Sequence, residues 1–435
     1  MKHKIKHFKL KRELGLLELT LYGIGAILGA GIYVLIGAGA GIAGYGMWLS
    51  FIIAAVIASF TGLSFAELSS IYPKEASTYV YTERAFHHRA LSFIVSWVLI
   101  VSGIISAATV SLGFAGYFAS LFGGEPIFIA AALIIALSVL NYVGIKISAR
   151  FNCVATVIEI SGLLLVILIG AIFIFSIDGF DIGNYFSMPA AGITGIFTAS
   201  ALIFFAYLGF EDIVIMSEET KNAKKTVPKA LLLALTISTI LYILVAFSSL
   251  SVLTPEELSS SDAPLTHVVD KAVPRASFLM SFIALFATAN TVLILLIVMS
   301  RMFCGISREH SFPSIFARIG DKSTPYISVF LIMFLALGSL LIGGIETVAM
   351  LTNVGVFVSF IFVNLSLIFL RYKKPNMKRP FKVPVNIGRF PVLAFLGVVS
   401  SLGMLFYIGY IDFQLLLFET AVILLGIAVF KVFNR

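Results

Sequence analysis

Charge is what this sequence has least of. Only 12% of its 435 residues are Asp, Glu, Lys or Arg, against the roughly 25% of soluble domains. A water-facing surface cannot be assembled from so few charges, which excludes a soluble multidomain protein and a disordered chain. Cysteine is nearly absent: Cys153 and Cys304 are the only two. That excludes a disulfide framework and predicts free thiols. All six histidines lie outside the apolar runs and no His-Glu-x-x-His occurs, which removes an intramembrane zinc protease. No Gly-Lys-Ser/Thr phosphate loop is present, so no ATP-driven step is expected on this chain. No small-residue cleavage site follows a short apolar core, and a secretory signal peptide is not expected. Gly39-Ala-Gly-Ile-Ala-Gly44 spells a dinucleotide fingerprint, but no strand precedes it and the match is coincidental.

Hydrophobic residues make up 60% of the chain, with 40 Phe and 35 Gly. A span needs about 20 apolar residues to cross ~30 Å of hydrocarbon. That ruler predicts an all-α polytopic membrane protein with twelve spans, centred near residues 28, 57, 105, 134, 164, 204, 240, 290, 334, 358, 400 and 422. Spans 4 and 9 are short. The net charge of +8 does not signal a nucleic-acid partner, because the cations sit between the apolar runs. With a cytoplasmic N-terminus, 28 of the 30 Lys and Arg fall on the inside, and only Lys271 and Arg275 fall outside. Asp178, Asp181, Glu256, Glu257 and Asp262 are outside too. This bias predicts cytoplasmic termini in the cell membrane.

The chain divides into a basic N-terminus (1–13), a ten-helix core (14–370), a basic linker (371–389) and two further helices (390–435). The linker, with three Pro and seven cations, reads as a segment at the lipid surface. In the outer connection 253–276, Thr254 followed by Pro-Glu-Glu reads either as the cap of a short helix over the outer mouth or as a solvated loop.

Glycine in span 1 is unusually dense: Gly23, Gly25, Gly29 and Gly31 fall within nine residues. Each costs ~1 kcal/mol against Ala in a helix interior. Close helix packing explains such a cluster, and so does a break that exposes backbone to a cavity. Span 6 has Gly209 at mid-membrane followed by Glu211 and Asp212. Spans 1 and 6 open two successive five-span sets, and an odd count inverts the second. Interrupted spans at matching positions of inverted halves point to a central transport site. The half-helix after Gly29 would present N–H groups suited to a carboxylate. The outer half of span 6 would present carbonyls suited to an ammonium. Together they predict a receptor for the α-amino and α-carboxyl groups of an amino acid.

These stretches resemble the amino acid–polyamine–organocation (APC) superfamily. The resemblance rests on Gly25-Ala-Ile-Leu-Gly-Ala-Gly-Ile32 and on Phe204-Phe-Ala-Tyr-Leu-Gly-Phe-Glu211 running on to Glu218–Pro228. Ala287-Thr-Ala-Asn-Thr291 with Ser300-Arg-Met and Pro313 completes it. It implies five-plus-five inverted repeats, broken spans 1 and 6, and alternating access. It also implies substrate contacts at Ile27, Phe205 and Leu208 (carbonyls to the amine) and at Gly29, Ala30 and Gly31 (amides to the carboxylate). Ala206 lies in the same stretch, and Leu293 aligns loosely with a bulky residue over the substrate. Relatives have Ser or Thr where Ala30 stands.

Two acids inside the membrane are candidate coupling or gating groups. Glu159 in span 5 stands where some proton-coupled relatives have Lys; it would carry a proton, ligate a cation such as sodium, or serve as a hydrogen-bonded structural acid. Glu211 begins the inner half of span 6, as a switch or as that helix's cap. Asp212 points about 100° away and reads as structural. Glu18 and Glu67 are expected to pair with inside cations, and Asn290, Thr291 and Asn353 to bond between helices, with pocket lining as their alternative role. The reading is a secondary transporter for amino acids, neutral ones favoured, with the lipid bilayer and protons or sodium as its other partners. No cofactor, metal, enzyme activity or nucleic-acid partner is implied. A cationic amino acid or polyamine exchanger is the alternative within this class, and an ion channel the alternative outside it.

Overall fold

A chain crossing hydrocarbon must satisfy every backbone N–H and C=O within itself, so these apolar runs close into helices. The computed structural model describes residues 12–176, 182–187, 189–261, 263–320, 322–341 and 345–433. Residues 1–11, Asp178, Asp181, Asp262 and Arg435, which enter the orientation count, lie outside the described residues. In order come α1 (Leu16–Ala43), α2 (Met47–Ile71), a short α3 (Ser77–Phe86), α4 (Arg89–Phe122), α5 (Pro126–Val143) and α6 (Ile145–Ser176). Then follow α7 (Gly192–Ile203), a single-turn α8 (Asp212–Ile215), α9 (Ala223–Val252), α10 (Pro255–Ser259), α11 (Pro264–Ala272) and α12 (Ser277–Arg308). The chain ends with α13 (Tyr326–Gly338), α14 (Ile345–Lys373), a hairpin of β1 (Asn386–Ile387) and β2 (Phe390–Pro391), α15 (Val392–Ile411) and α16 (Phe413–Phe433).

Among the described residues, ten helical stretches are long and apolar enough to cross a membrane, the first of them running through both α1 and α2. The apolar helix Tyr326–Leu341 is shorter. The protein is an all-helical, multi-pass membrane protein. Local sequence marks the helix ends: Pro126 opens α5, and Gly144 (φ 130°) parts it from α6. Thr254 caps α10 reciprocally: its hydroxyl accepts from the Glu257 amide at 3.2 Å, and the Glu257 carboxylate accepts from the Thr254 amide at 2.9 Å.

Helix α1 lies at the centre, packed on α6, α7, α9 and α12; α2 packs on α9, and α4 on α12 and α14. The last two helices flank this group, α15 against α2 and α14, and α16 against α4. Buried ion pairs tie α2 and α12 to their neighbours. Glu67 is fully buried and holds Arg371 at 2.9 Å, Arg379 at 3.0 Å and the Val383 amide at 2.7 Å. The basic segment 371–389 is thereby folded back onto α2. Arg301, also fully buried, holds Glu219 at 3.0 Å and donates to Asn141 at 2.9 Å. Removing one partner of such a pair strands the other charge, at about 3–5 kcal/mol. Glu18 meets no cation among the described residues; it accepts from the Gly15 amide at 3.0 Å and closes the first turn of α1.

Candidate functional site

Two interruptions face each other at the centre of the bundle. In α1 the backbone leaves helical geometry at one residue, Gly29 (φ −13°, ψ −147°). Between α7 and α8 the chain tightens into a 3-10 turn at Phe204–Tyr207, extends at Leu208 (ψ 149°) and turns through Gly209 (φ 111°). That last conformation is one that side chains with a Cβ rarely adopt. The two interruptions touch: a Cβ at Gly209 would lie 2.7 Å from the Ala26 carbonyl, and one at Gly31 would lie 2.6 Å from Ala206 Cα. Close packing and an opened backbone therefore both operate here. Gly23 and Gly25 serve packing, against Ile213 and against a polar group on α6 and α12.

Around these breaks lies a cavity of about 60 Å³ open to the centre of a water molecule. Ala26, Ile27, Gly29, Ala30 and Gly31 form one wall, and Phe205, Leu208, Gly209, Glu211 and Asp212 form another. Thr291, Ile294 and Leu295 of α12 close it on one side, and α4 and α14 on the other, through Leu99, Ser102, Gly103, Ser106, Thr352 and Val356. Leu293 is fully buried and is not among the lining residues. One residue on from it, the helix turns Ile294 inward. Ala206 is also set back from the cavity, against Gly31.

The backbone groups at the breaks have side-chain partners that sequence reading did not assign. The Ala30 amide donates to the Thr291 hydroxyl at 3.0 Å, which donates in turn to the Ala287 carbonyl. Thr291 thus supplies from α12 a hydroxyl next to Ala30. The Tyr242 hydroxyl meets the Ile27 carbonyl and, at 2.7 Å, the Ala206 carbonyl. It has one proton and donates to one of them at a time. A single tyrosine in the apolar run Ile240–Val245 was the available signal.

The acids divide by surroundings. Glu211 accepts from the Gly209 amide at 3.1 Å, which bridges the break, and it also lines the cavity. Asp212 lines the cavity as well, rather than turning away from it. Glu159 is fully buried outside the cavity, in a polar group spanning α6 and α12. Its Oε1 accepts from Asn290 at 3.0 Å, and Asn152 donates to Asn290 at 2.9 Å. Its Oε2 has no hydrogen-bond partner among the described residues. Gly25 permits this group, since a Cβ there would lie 2.1 Å from Thr156 Oγ1. Asn353 bonds between helices, to the Ala201 carbonyl at 2.8 Å.

A profile of the amino acid permease family matches residues 14–427. The branched-chain amino acid permease BcaP of Bacillus subtilis (strain 168) is 31% identical over 98% of this chain and 94% of its own length. The methylthioribose transporter of the same organism is 29% identical, over 87% of this chain and 85% of its own. The human cationic amino acid transporter 4 is 27% identical, over 84% and 61%. With the match spanning the helical bundle and both interruptions, the chain belongs to the amino acid permease family of the APC superfamily.

Proposed function

We propose that the protein is a secondary active transporter that moves neutral aliphatic L-amino acids across the cell membrane by alternating access. The observation that carries this reading is the cavity between Gly29 and Leu208–Gly209, where backbone from two interrupted helices meets an apolar wall of Leu99, Ile294, Leu295 and Val356. Amides at Gly29 and Gly31, joined by that of Ala30 once Thr291 releases it, hold the substrate carboxylate, and the carbonyls of Ile27, Phe205 and Leu208 hold its ammonium. The aliphatic side chain lies against α4, α12 and α14. The name of the 31% identical relative, a branched-chain amino acid permease, agrees with that wall.

Twelve spans carry the work: α1, α2, α4, α5, α6, α7 with α8, α9, α12, α13, α14, α15 and α16. The first ten form two inverted sets of five, with both termini cytoplasmic. The packing supports this, since α1 meets α7, α2 meets α9 and α4 meets α12, each a pair at matching positions. Short helices also follow the second span of each set, α3 in one and α10 with α11 in the other. Glu159 carries the coupling proton or cation at the junction of α1, α6 and α12, and Glu211 gates the break. A cationic substrate is the second reading. It is favoured by Asp212, a carboxylate that faces the cavity.

Uptake into proteoliposomes tests the proposal. Saturable leucine uptake and counterflow, with slow turnover, are expected. Large unsaturable currents would make the protein a channel, and lysine uptake that excludes leucine would favour the second reading.

A further inference from the structure

We propose that Glu419, in the second turn of α16, is a proton-carrying group that exchanges with the central cavity through Ser102. The inference rests on the transport reading above and adds a group outside the ten-helix core. Glu419 is 4% exposed, and its Oε1 has no hydrogen-bond partner among the described residues. A carboxyl placed so within a span needs a proton or a cation.

Among the described residues, the surroundings offer no fixed cation. The helices packed against α16 are α4, α14 and α15. Their charged groups are Arg89 at the start of α4, with Glu346, Arg371 and Lys373 at the ends of α14; α15 has none. Arg371 is committed to Glu67. Their tyrosines are placed elsewhere: Tyr372 and Tyr410 are exposed, Tyr407 bonds Thr198, and Tyr117 lies near Tyr33. On α16 itself the other charge is Lys431, three turns further on. Glu419 has no ion-pair partner among the described residues.

The route inward is short. A Cβ at Gly355 of α14 would lie 3.3 Å from Glu419 Oε2 and 2.3 Å from Ser102 Oγ. The two oxygens therefore flank one point and are at most about two hydrogen-bond lengths apart. Ser102 lines the cavity, as do Thr352 and Val356 on either side of Gly355. Because residue 355 is glycine, it places no side chain of its own between the hydroxyl and the carboxylate; Val98 Cγ1, 3.1 Å from the same point, packs beside them. Rotation of Ser102, or one bridging water, joins them. In the transfer, the Ser102 oxygen takes a proton from the cavity side and passes its own hydroxyl proton to the carboxylate. The O–H bond that breaks is replaced by the one that forms, Ser102 ends unchanged, and Glu419 ends neutral.

Infrared difference spectra of the protein in lipid vesicles, stepped between about pH 5 and pH 9, test this without a substrate. A protonated-carboxyl C=O stretch should be lost in Glu419→Gln and retained in Glu159→Gln. In Ser102→Ala the band should persist while its hydrogen–deuterium exchange slows by on the order of 10². Identical spectra in wild type and Glu419→Gln, or unchanged exchange in Ser102→Ala, would overturn the proposal. So would leucine uptake whose pH profile is the same in wild type and Glu419→Gln. Absence of leucine uptake by the wild type would instead count against the transport reading, and the infrared result would then decide alone.

Discussion

Replacing Gly31 by Ala should cost substrate affinity out of proportion to stability. The new Cβ would stand 2.6 Å from Ala206 Cα and 2.9 Å from its Cβ. Carbon atoms prefer about 3.5–4.0 Å. The second half of α1 and the Phe204–Tyr207 turn must therefore separate by roughly 1 Å, a strain of about 1–3 kcal/mol. These are the two segments whose backbone forms opposing cavity walls, so the same displacement splays the amides and carbonyls proposed to hold the substrate. A loss of about 1–3 kcal/mol in binding corresponds to roughly 5–150-fold in Kd. Gly305→Ala is the control. Its Cβ would lie 2.7 Å from Ala76 Cβ and 2.9 Å from the Ala76 amide, an equal crowding far from the cavity. Leucine binding to purified protein, read beside thermal unfolding, separates the two effects. Both variants should melt earlier, and only Gly31→Ala should bind weakly. Equal affinity in the two variants would refute the placement of the site at this crossing.

Glu159→Gln keeps the shape of the side chain and the hydrogen bond from Asn290 but fixes it neutral. If Glu159 couples a proton, a 100 mV potential supplies ~2.3 kcal/mol, or roughly fiftyfold accumulation. The variant should lose that accumulation and keep counterflow, and full accumulation in proteoliposomes would return Glu159 to a structural role. Glu75, buried in the loop between α2 and α3, meets Arg308 at 2.8 Å, yet burial pushes its carboxyl from 4.5 up to about 8. The folded chain thus keeps a proton that the unfolded chain releases. Stability from this group is full below pH 4.5 and is lost as pH rises through about 8, at ~1.4 kcal/mol per unit within that window. Melting temperature should fall between about pH 6 and pH 8 in wild type and flatten in Glu75→Gln; parallel slopes would refute it.

Much of the fold was legible because membrane spans announce themselves by length and apolarity, and the short helices α5 and α13 fell where the short runs did. The interruptions were legible for a related reason. Gly29 and Gly209 are backbone signals, and the sequence places both at mid-span. What escaped the reading were contacts made across the bundle. Thr291 and Tyr242 reach the breaks from α12 and α9, and nothing near them in sequence says which carbonyl or amide they will meet. Ser102, Ser106 and Thr352 looked like ordinary polar residues in spans, and only the packing of α4 on α14 brings them to one wall. Asp212 was placed by helical angle, but α8 is a single turn entered through Gly209, so a regular 100° step does not apply there.

The central claim is that backbone at the two interruptions reads both ends of an amino acid. Binding of leucine and of 3-methylbutylamine, the same molecule without its carboxylate, measures it most directly. Losing hydrogen bonds from the Gly29–Gly31 amides to a charged group, each worth about 1.5–3 kcal/mol, should weaken the amine by on the order of 10² or more. Equal affinity for the two would contradict the account.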